Sequence, residues 1–500
     1  MISSMSPVLH PSPHGSRPRR GRAPAAPAVS ASSAASGASA RSGARSAQPP
    51  GHRLALWTVG LLLLAVAFLL DSALKDAFRL PKALAGETLA LASLFFLAWA
   101  WQGPQEWRAL LRAPFVRIFG PFVVLATLLS LASPHVAHVH RGLAGLWIGA
   151  LAVWGWSVGF SRQELRRALS FALVPATILA AIAILQFHGL YQPYAFVGIA
   201  ESSRFAIGSL AGNVGDLGAA LVLPVILAQA ELARGRRVVL SSLALALCLY
   251  GLMVTQTFSA IAGVAAGTLV FWALRLSRRR AAIGALAIAA LAGGVVVMLS
   301  LVGPLRERSL GKIDQIARGD WNSVLTGRLD GWRAALWMVE EHPLTGVGVG
   351  AYRTEFIPAK TALLREGVVF FADQMNVVFA NAHNELLEVA AETGLPGLAA
   401  LLFGLALLVR RLARRIARRQ RRERAGTEAP PEGADASRPA TVSSALAWAG
   451  VTGIGVLSLA NFPFRIAIAL WPICLFLAWI LSSDGADEGV AESADEAGAT

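Results

Sequence analysis

The residues of this chain best placed to do chemistry sit in polar segments between long apolar runs. The stretch ANAHNELLEVAAETGLPGL, Ala380 to Leu398, opens with His383, Asn384 and Glu385, continues with Glu388 and Glu392, and leads into an apolar span. Asn384, Glu388 and Glu392 recur every four residues and so share one helical face, for which solvation at a membrane border is the plain reading. His383 heads that face. An interface histidine with its hydrogen bonds satisfied is the commoner case; a neutral imidazole is also the natural general base for a hydroxyl near neutral pH. A second segment reads GRLDGWRAALWMVEEHPLTGVGVGAY. Leu329, Trp332, Leu336 and Val339 recur there at three- and four-residue spacing and predict an amphipathic helix on a surface or the membrane, with Asp330 near its start and Pro343 past its end. Arg328 stands at its head, and Arg204 stands alone in another connection beside Gly208 and Gly212. Lone arginines are usually solvated, but a guanidinium fits phosphate oxygens bidentately, so both are candidates for anion binding.

Two further patterns invite chemistry and carry less. Gly346, Gly348 and Gly350 form a GxGxG turn, but no strand precedes it as a dinucleotide site requires; the glycines suit close approach of backbone to another helix or a glycan. PHVAHVHR gathers His135, His138 and His140. With no HExxH and no DxD-type carboxylate motif, neither a metal site nor a cofactor is expected.

The elements that must position these residues are membrane helices. Of 500 residues 55% are hydrophobic and 15% charged, and the mean hydropathy is +0.55, which is too apolar for a soluble domain. The fold class expected is an all-α polytopic membrane protein. Apolar runs near 54–70, 83–102, 115–133, 142–160, 168–188, 214–231, 238–256, 258–274, 281–302, 394–409, 441–459 and 464–481 predict about twelve transmembrane helices. The net charge of +15 could suggest a nucleic-acid partner, but the arginines cluster between apolar runs, at 162–167, 234–237, 275–280 and from Arg410 onward. The positive-inside rule then puts every cluster and both termini on the cytoplasmic side, and no nucleic acid is expected. Cys248 and Cys474 fall within spans and predict no disulfide.

The predicted organisation is a disordered basic cytoplasmic tail over 1–53, helices 1–9 over 54–302, and a large periplasmic helical loop domain over 303–393. Helices 10–12 follow over 394–481, enclosing an Arg-rich cytoplasmic loop at 410–440 with Leu412 and Ile416 as an apolar seam, and an acidic cytoplasmic tail closes the chain over 482–500. A smaller outward loop, Gly189 to Asn213, carries Arg204.

Arg328 with Trp332 four residues on, then HPLTGVGVG, then AHNELLEVAAETGLPGL resemble the signature of the bacterial O-antigen ligase and polymerase superfamily, over about Val238 to Phe403. The resemblance implies a metal-independent membrane glycosyltransferase of the bacterial inner membrane, acting on its periplasmic face. It would take a glycan from undecaprenyl pyrophosphate to a hydroxyl of lipid A core or of another glycan. Residue by residue, it implies His383 as catalytic and Arg204, Arg328 and Asn384 as substrate-binding. The chain departs from the pattern at TQTFSA, where members often show Ser-Arg and this sequence has Ser259 and Ala260. A polymerase generally carries two substantial arginine-bearing loops; the short earlier loop favours a ligase. A protein-directed oligosaccharyltransferase is a further reading. A transporter should show repeats and charges at mid-membrane, which are not evident.

Overall fold

The computed structural model describes residues 49–101, 103–192, 194, 204–235, 237–276, 303–371, 379–424 and 441–482. Every regular element among them is helical, as long apolar runs require when each must satisfy its own backbone away from water. In chain order these are α1 (Pro50–Phe68), α2 (Arg79–Ala100), α3 (Pro104–Arg112), α4 (Pro114–Ile118), α5 (Gly120–Ser130), α6 (Val136–Gly159), α7 (Arg162–Phe171), α8 (Leu173–Phe187), α9 (Val214–Ala233), α10 (Val238–Thr255) and α11 (Phe258–Arg275). There follow α12 (Gly303–Ala317), α13 (Trp321–Val324), α14 (Arg328–Glu341), α15 (Tyr352–Arg365), α16 (Glu385–Arg424), α17 (Val442–Ser458) and α18 (Ala467–Leu481).

Eight helical stretches among the described residues are long and apolar enough to cross a membrane, with α7 and α8 counted as one, and a ninth is possible if a bent pair is one span. That pair, α3–α4 with α5, bends by 74° where the sequence predicts a continuous span at 115–133; Pro114 and the Gly120-Pro121 step interrupt the helix there. α17 and α18 are apolar but shorter than the eight. The expected span at 281–302 lies outside the described residues, as do the expected tails at 1–48 and 483–500 and most of the loop after Arg424. Two boundaries move. Pro50 to Arg53, expected in the tail, start α1, because proline suits the first helical turn. The arginine run expected as loop from 410 continues α16 to Arg424.

α9 is the axis of the bundle, with 83% of its apolar stretch buried against 22% for α2 at the periphery. α10, α11, α17 and α18 pack around it. The segment from α12 to the start of α16 builds a second core in which Ala334, Ala335, Met338, Tyr352, Phe356, Ala382 and Ala391 meet Val139 of α6. α14 forms where its spacing predicts, but its buried face is Gly331, Ala334, Ala335 and Met338, while Leu336 is exposed. Of the expected apolar stripe, Val339 packs against this core while Leu336 does not. Small residues predominate on the buried face because α14 lies close against the backbone at Ala382: a Cβ on Gly331 would stand 3.1 Å from the Ala382 carbonyl oxygen.

The GxGxG turn performs the close approach its glycines suit. Gly346, Gly348 and Gly350 all have positive φ, and a Cβ on Gly346 would lie 2.4 Å from the Glu392 carbonyl carbon in α16. The turn is laced to α16 by Val347 N–H to Ala391 O and Gly348 N–H to Glu392 O, both at 2.9 Å. Gly346→Ala, strained in backbone and in space, should destabilise the detergent-purified protein by about 2 kcal/mol. An unchanged thermal midpoint would refute this packing.

Candidate active site

The site is built on the first two turns of α16. Asn384 caps that helix, its Oδ1 accepting from the N–H groups of Leu386 at 3.0 Å and Leu387 at 3.2 Å, a role typically contributing about 1 kcal/mol. Its carbonyl side is thus committed, and only its amide nitrogen could meet a ligand. Of the face expected to be solvated, Glu388 and Glu392 are dry, 0% and 2% exposed, as is neighbouring Glu385 at 7%. They close on Arg465, which follows α17 in the turn Pro463–Arg465. Its guanidinium stands 3.0 Å from Glu388, 2.6 Å from Glu392 and 3.9 Å from Glu385. Burial opposes its charge, and the three carboxylates more than offset this, raising its pKa above the ordinary guanidinium value. The glutamates also bind backbone. Glu388 accepts from Ala382 N–H and Asn381 Nδ2, Glu392 from Gly350 N–H, and Glu385 from Phe464 N–H. Three segments are thereby tied to one helix.

His383 follows immediately after Ala382 in that arrangement. Its backbone is left-handed, with φ +57°, a conformation costing a non-glycine residue about 1–2 kcal/mol and held only when its neighbours dictate it. Its ring packs edge-on against Phe462 at 4.6 Å and Phe379 at 5.8 Å. The buried Nδ1 has no protein partner. Burial first, then the charges of Arg328 and Arg79, push its pKa down to about 3. The imidazole is therefore neutral at ordinary pH, with a lone pair available. An anion arriving between those arginines would offset their charge and raise its basicity.

Arg328 stands near His383, as that electrostatic influence requires, held by Nη1–H to Leu325 O at 3.2 Å. Its Nε is buried without a protein partner. Burial, then neighbouring Arg308, lowers its pKa. The helix start is fixed by Asp330, 2% exposed, which accepts from Asn322 Nδ2 at 2.7 Å and Phe371 N–H at 2.8 Å. Arg204 begins a short 3-10 turn to Ala206; its side chain lies outside what is described. The histidine triplet does not assemble: His135 pairs with Glu355, while His138 and His140 are exposed. Among the described residues no group of three His, Cys, Asp or Glu side chains is placed to hold a metal ion.

Arg79, Phe462 and Arg465 escaped the sequence reading. Arg79 grips Asp216 of α9 through two bonds of 2.7 Å and lies 5.7 Å over the ring of Phe462, the same ring that packs against His383. The signal was present, since these are isolated arginines at the same predicted membrane side as Arg204 and Arg328.

Residues 243–402, from within α10 into α16, match the sequence family described as O-antigen ligase. This segment is an O-antigen ligase family domain. It contains His383 and Arg328, whereas Arg79, Asp216, Phe462 and Arg465 lie outside it. No curated protein matches the chain. The family match and the apolar helices are those of a multi-pass membrane protein with a segment similar to O-antigen ligases.

The depressed pKa of His383 has a consequence for stability. Between about 3 in the fold and its ordinary 6.5, the unfolded chain binds the extra proton, so this residue favours folding less as pH falls through that window. His383→Gln should flatten the decline of the thermal midpoint from pH 6.5 to 4 relative to wild type. Parallel curves for the two proteins would contradict the buried, cation-flanked setting.

Proposed function

We propose that this O-antigen ligase family protein transfers a glycan from undecaprenyl pyrophosphate to an acceptor hydroxyl at the periplasmic face of the inner membrane, with lipid A core as acceptor. The observation that carries this reading is a neutral imidazole with an unpartnered Nδ1, set beside a guanidinium that has no carboxylate partner. A donor tethered by a lipid keeps its pyrophosphate at the membrane border, and the head of α16 presents a base and cations together at the end of an apolar helix.

The reaction is a single displacement. The acceptor oxygen attacks the anomeric carbon, forming the new glycosidic bond as the bond to the pyrophosphate oxygen breaks and its electron pair leaves with the pyrophosphate. His383 takes the hydroxyl proton. Arg328, with Arg204 brought from the preceding loop, offsets the negative charge growing on the leaving group, and the Asn384 amide orients the donor or acceptor. Pyrophosphate is already a good leaving group, so the proposal requires no metal. The short connection at 189–213, with one arginine, favours a ligase over a polymerase.

A general base typically contributes about 10²- to 10⁴-fold in rate. His383→Gln keeps a hydrogen-bonding group but accepts no proton, so the purified variant should lose transfer by that order while remaining folded, and wild type should keep its activity in EDTA. Wild-type rates from the glutamine variant would make His383 structural; loss in EDTA restored by a divalent cation would return the chemistry to a metal.

Arginine clusters at one predicted side support the orientation. Alkaline phosphatase fused after Gly319 should be active in cells and fused after Gly433 inactive; the reverse pattern would place the site in the cytoplasm and end this reading.

A further inference from the structure

Arg308, in the second turn of α12, had no part in the sequence reading. Its guanidinium lies 5.7 Å over the ring of Phe258, the first residue of α11. Its Nε is buried with no protein partner, and so is the Oγ of adjacent Ser259. The next residue, Ala260, stands where the family resemblance leads one to expect arginine and is 0% exposed. α12 thus supplies a guanidinium from above to the end of α11, where α11 itself has none.

Charge bookkeeping separates the cations around His383. Arg79 is matched by Asp216 and Arg465 by three glutamates. Among the described residues Arg308 and Arg328 make no ion pair, and each has a buried, unpartnered Nε. They act on one another, since Arg308 is second only to burial in lowering the pKa of Arg328. Two partly desolvated like charges side by side are costly unless an anion joins them. A group with two adjacent phosphates supplies acceptors and charge for both forks at once.

We propose that Arg308 is a further donor-binding residue, its guanidinium and that of Arg328 together holding the diphosphate of the lipid-linked substrate. The assignment rests on the transfer reaction proposed above. It places the uncompensated positive charge on α12 and α14, whereas Arg79 is compensated by Asp216. The site then discriminates diphosphate from monophosphate, because a single phosphate satisfies one fork and leaves the other charge unpaired.

The test uses the full chain purified in detergent, with affinity measured by thermophoresis for farnesyl diphosphate, farnesyl monophosphate and inorganic pyrophosphate. Arg308→Gln should weaken farnesyl diphosphate and inorganic pyrophosphate by a similar factor, about tenfold or more for a lost charge-assisted contact, and change farnesyl monophosphate little. Arg308→Lys, which keeps the charge and disturbs the fold least, should fall between Gln and wild type. If Arg328→Gln loses diphosphate affinity while both Arg308 variants bind like wild type, Arg308 is not a ligand and the transfer reading stands. If neither arginine matters, the donor site itself is wrongly placed. Equal weakening of both farnesyl compounds with no effect on inorganic pyrophosphate would mean that Arg308 contacts the lipid chain or membrane surface, which also overturns the assignment.

Discussion

Everything near the site depends on one half-buried cation. Arg465 neutralises part of a stack of three carboxylates on the first turns of α16, and without it Glu388, at 0% exposure, would carry uncompensated charge in a dry environment. Removing one partner from such a cluster typically costs about 3–5 kcal/mol, more than most single contacts contribute. The carboxylates spend their remaining lone pairs on the backbone of Ala382, Gly350 and Phe464. The ion cluster therefore specifies a geometry as well as contributing to stability. It sets where α16 begins, where the glycine turn docks and how the turn after α17 crosses over, and His383 is held in its left-handed backbone by the sum of these restraints.

A layered charge distribution follows. The acidic layer holds Arg465, and its carboxylate oxygens meet that guanidinium and backbone N–H groups. Next to it sit the neutral ring of His383 and the faces of Phe379 and Phe462, and around that ring are guanidiniums in two conditions, Arg79 compensated by Asp216 and Arg328 uncompensated. A low dielectric near the imidazole keeps it unprotonated in the empty site and strengthens its response to an incoming anion. In the transfer reaction proposed above, substrate binding and activation of the base would be coupled through that one electrostatic interaction.

The transmembrane bundle supplies a fixed frame for this arrangement. α9 runs through its centre and presents Asp216 near its start, where Arg79 of α2 meets it. α17 and α18 deliver Phe462 and Arg465 from a tight connection. Site residues from the two ends of the chain thus converge on the family segment, which itself contains the imidazole, the carboxylates of α16 and the guanidiniums of α12 and α14.

Residue types and their spacing determined a good deal by themselves. Long apolar runs dictated helices because an unpaired backbone is too costly in lipid; Gly346, Gly348 and Gly350 dictated a close backbone approach; and AHN ahead of an apolar span, with Arg328 in a long polar segment, offered His383 and Arg328 as candidates. What the sequence could not decide was the environment of each charge. The same i, i+4 ladder of Asn384, Glu388 and Glu392 describes a solvated face or the socket of a half-buried arginine, and nothing local distinguishes them, because Arg465 is 73 residues from Glu392 along the chain. Likewise α14 was legible as a helix while most of its packing face was not, since close approach of Ala382 favours small side chains over the larger apolar stripe. Burial and pairing are long-range quantities, and only the tertiary structure could say that Arg79 and Arg465 are already neutralised while Arg328 is not.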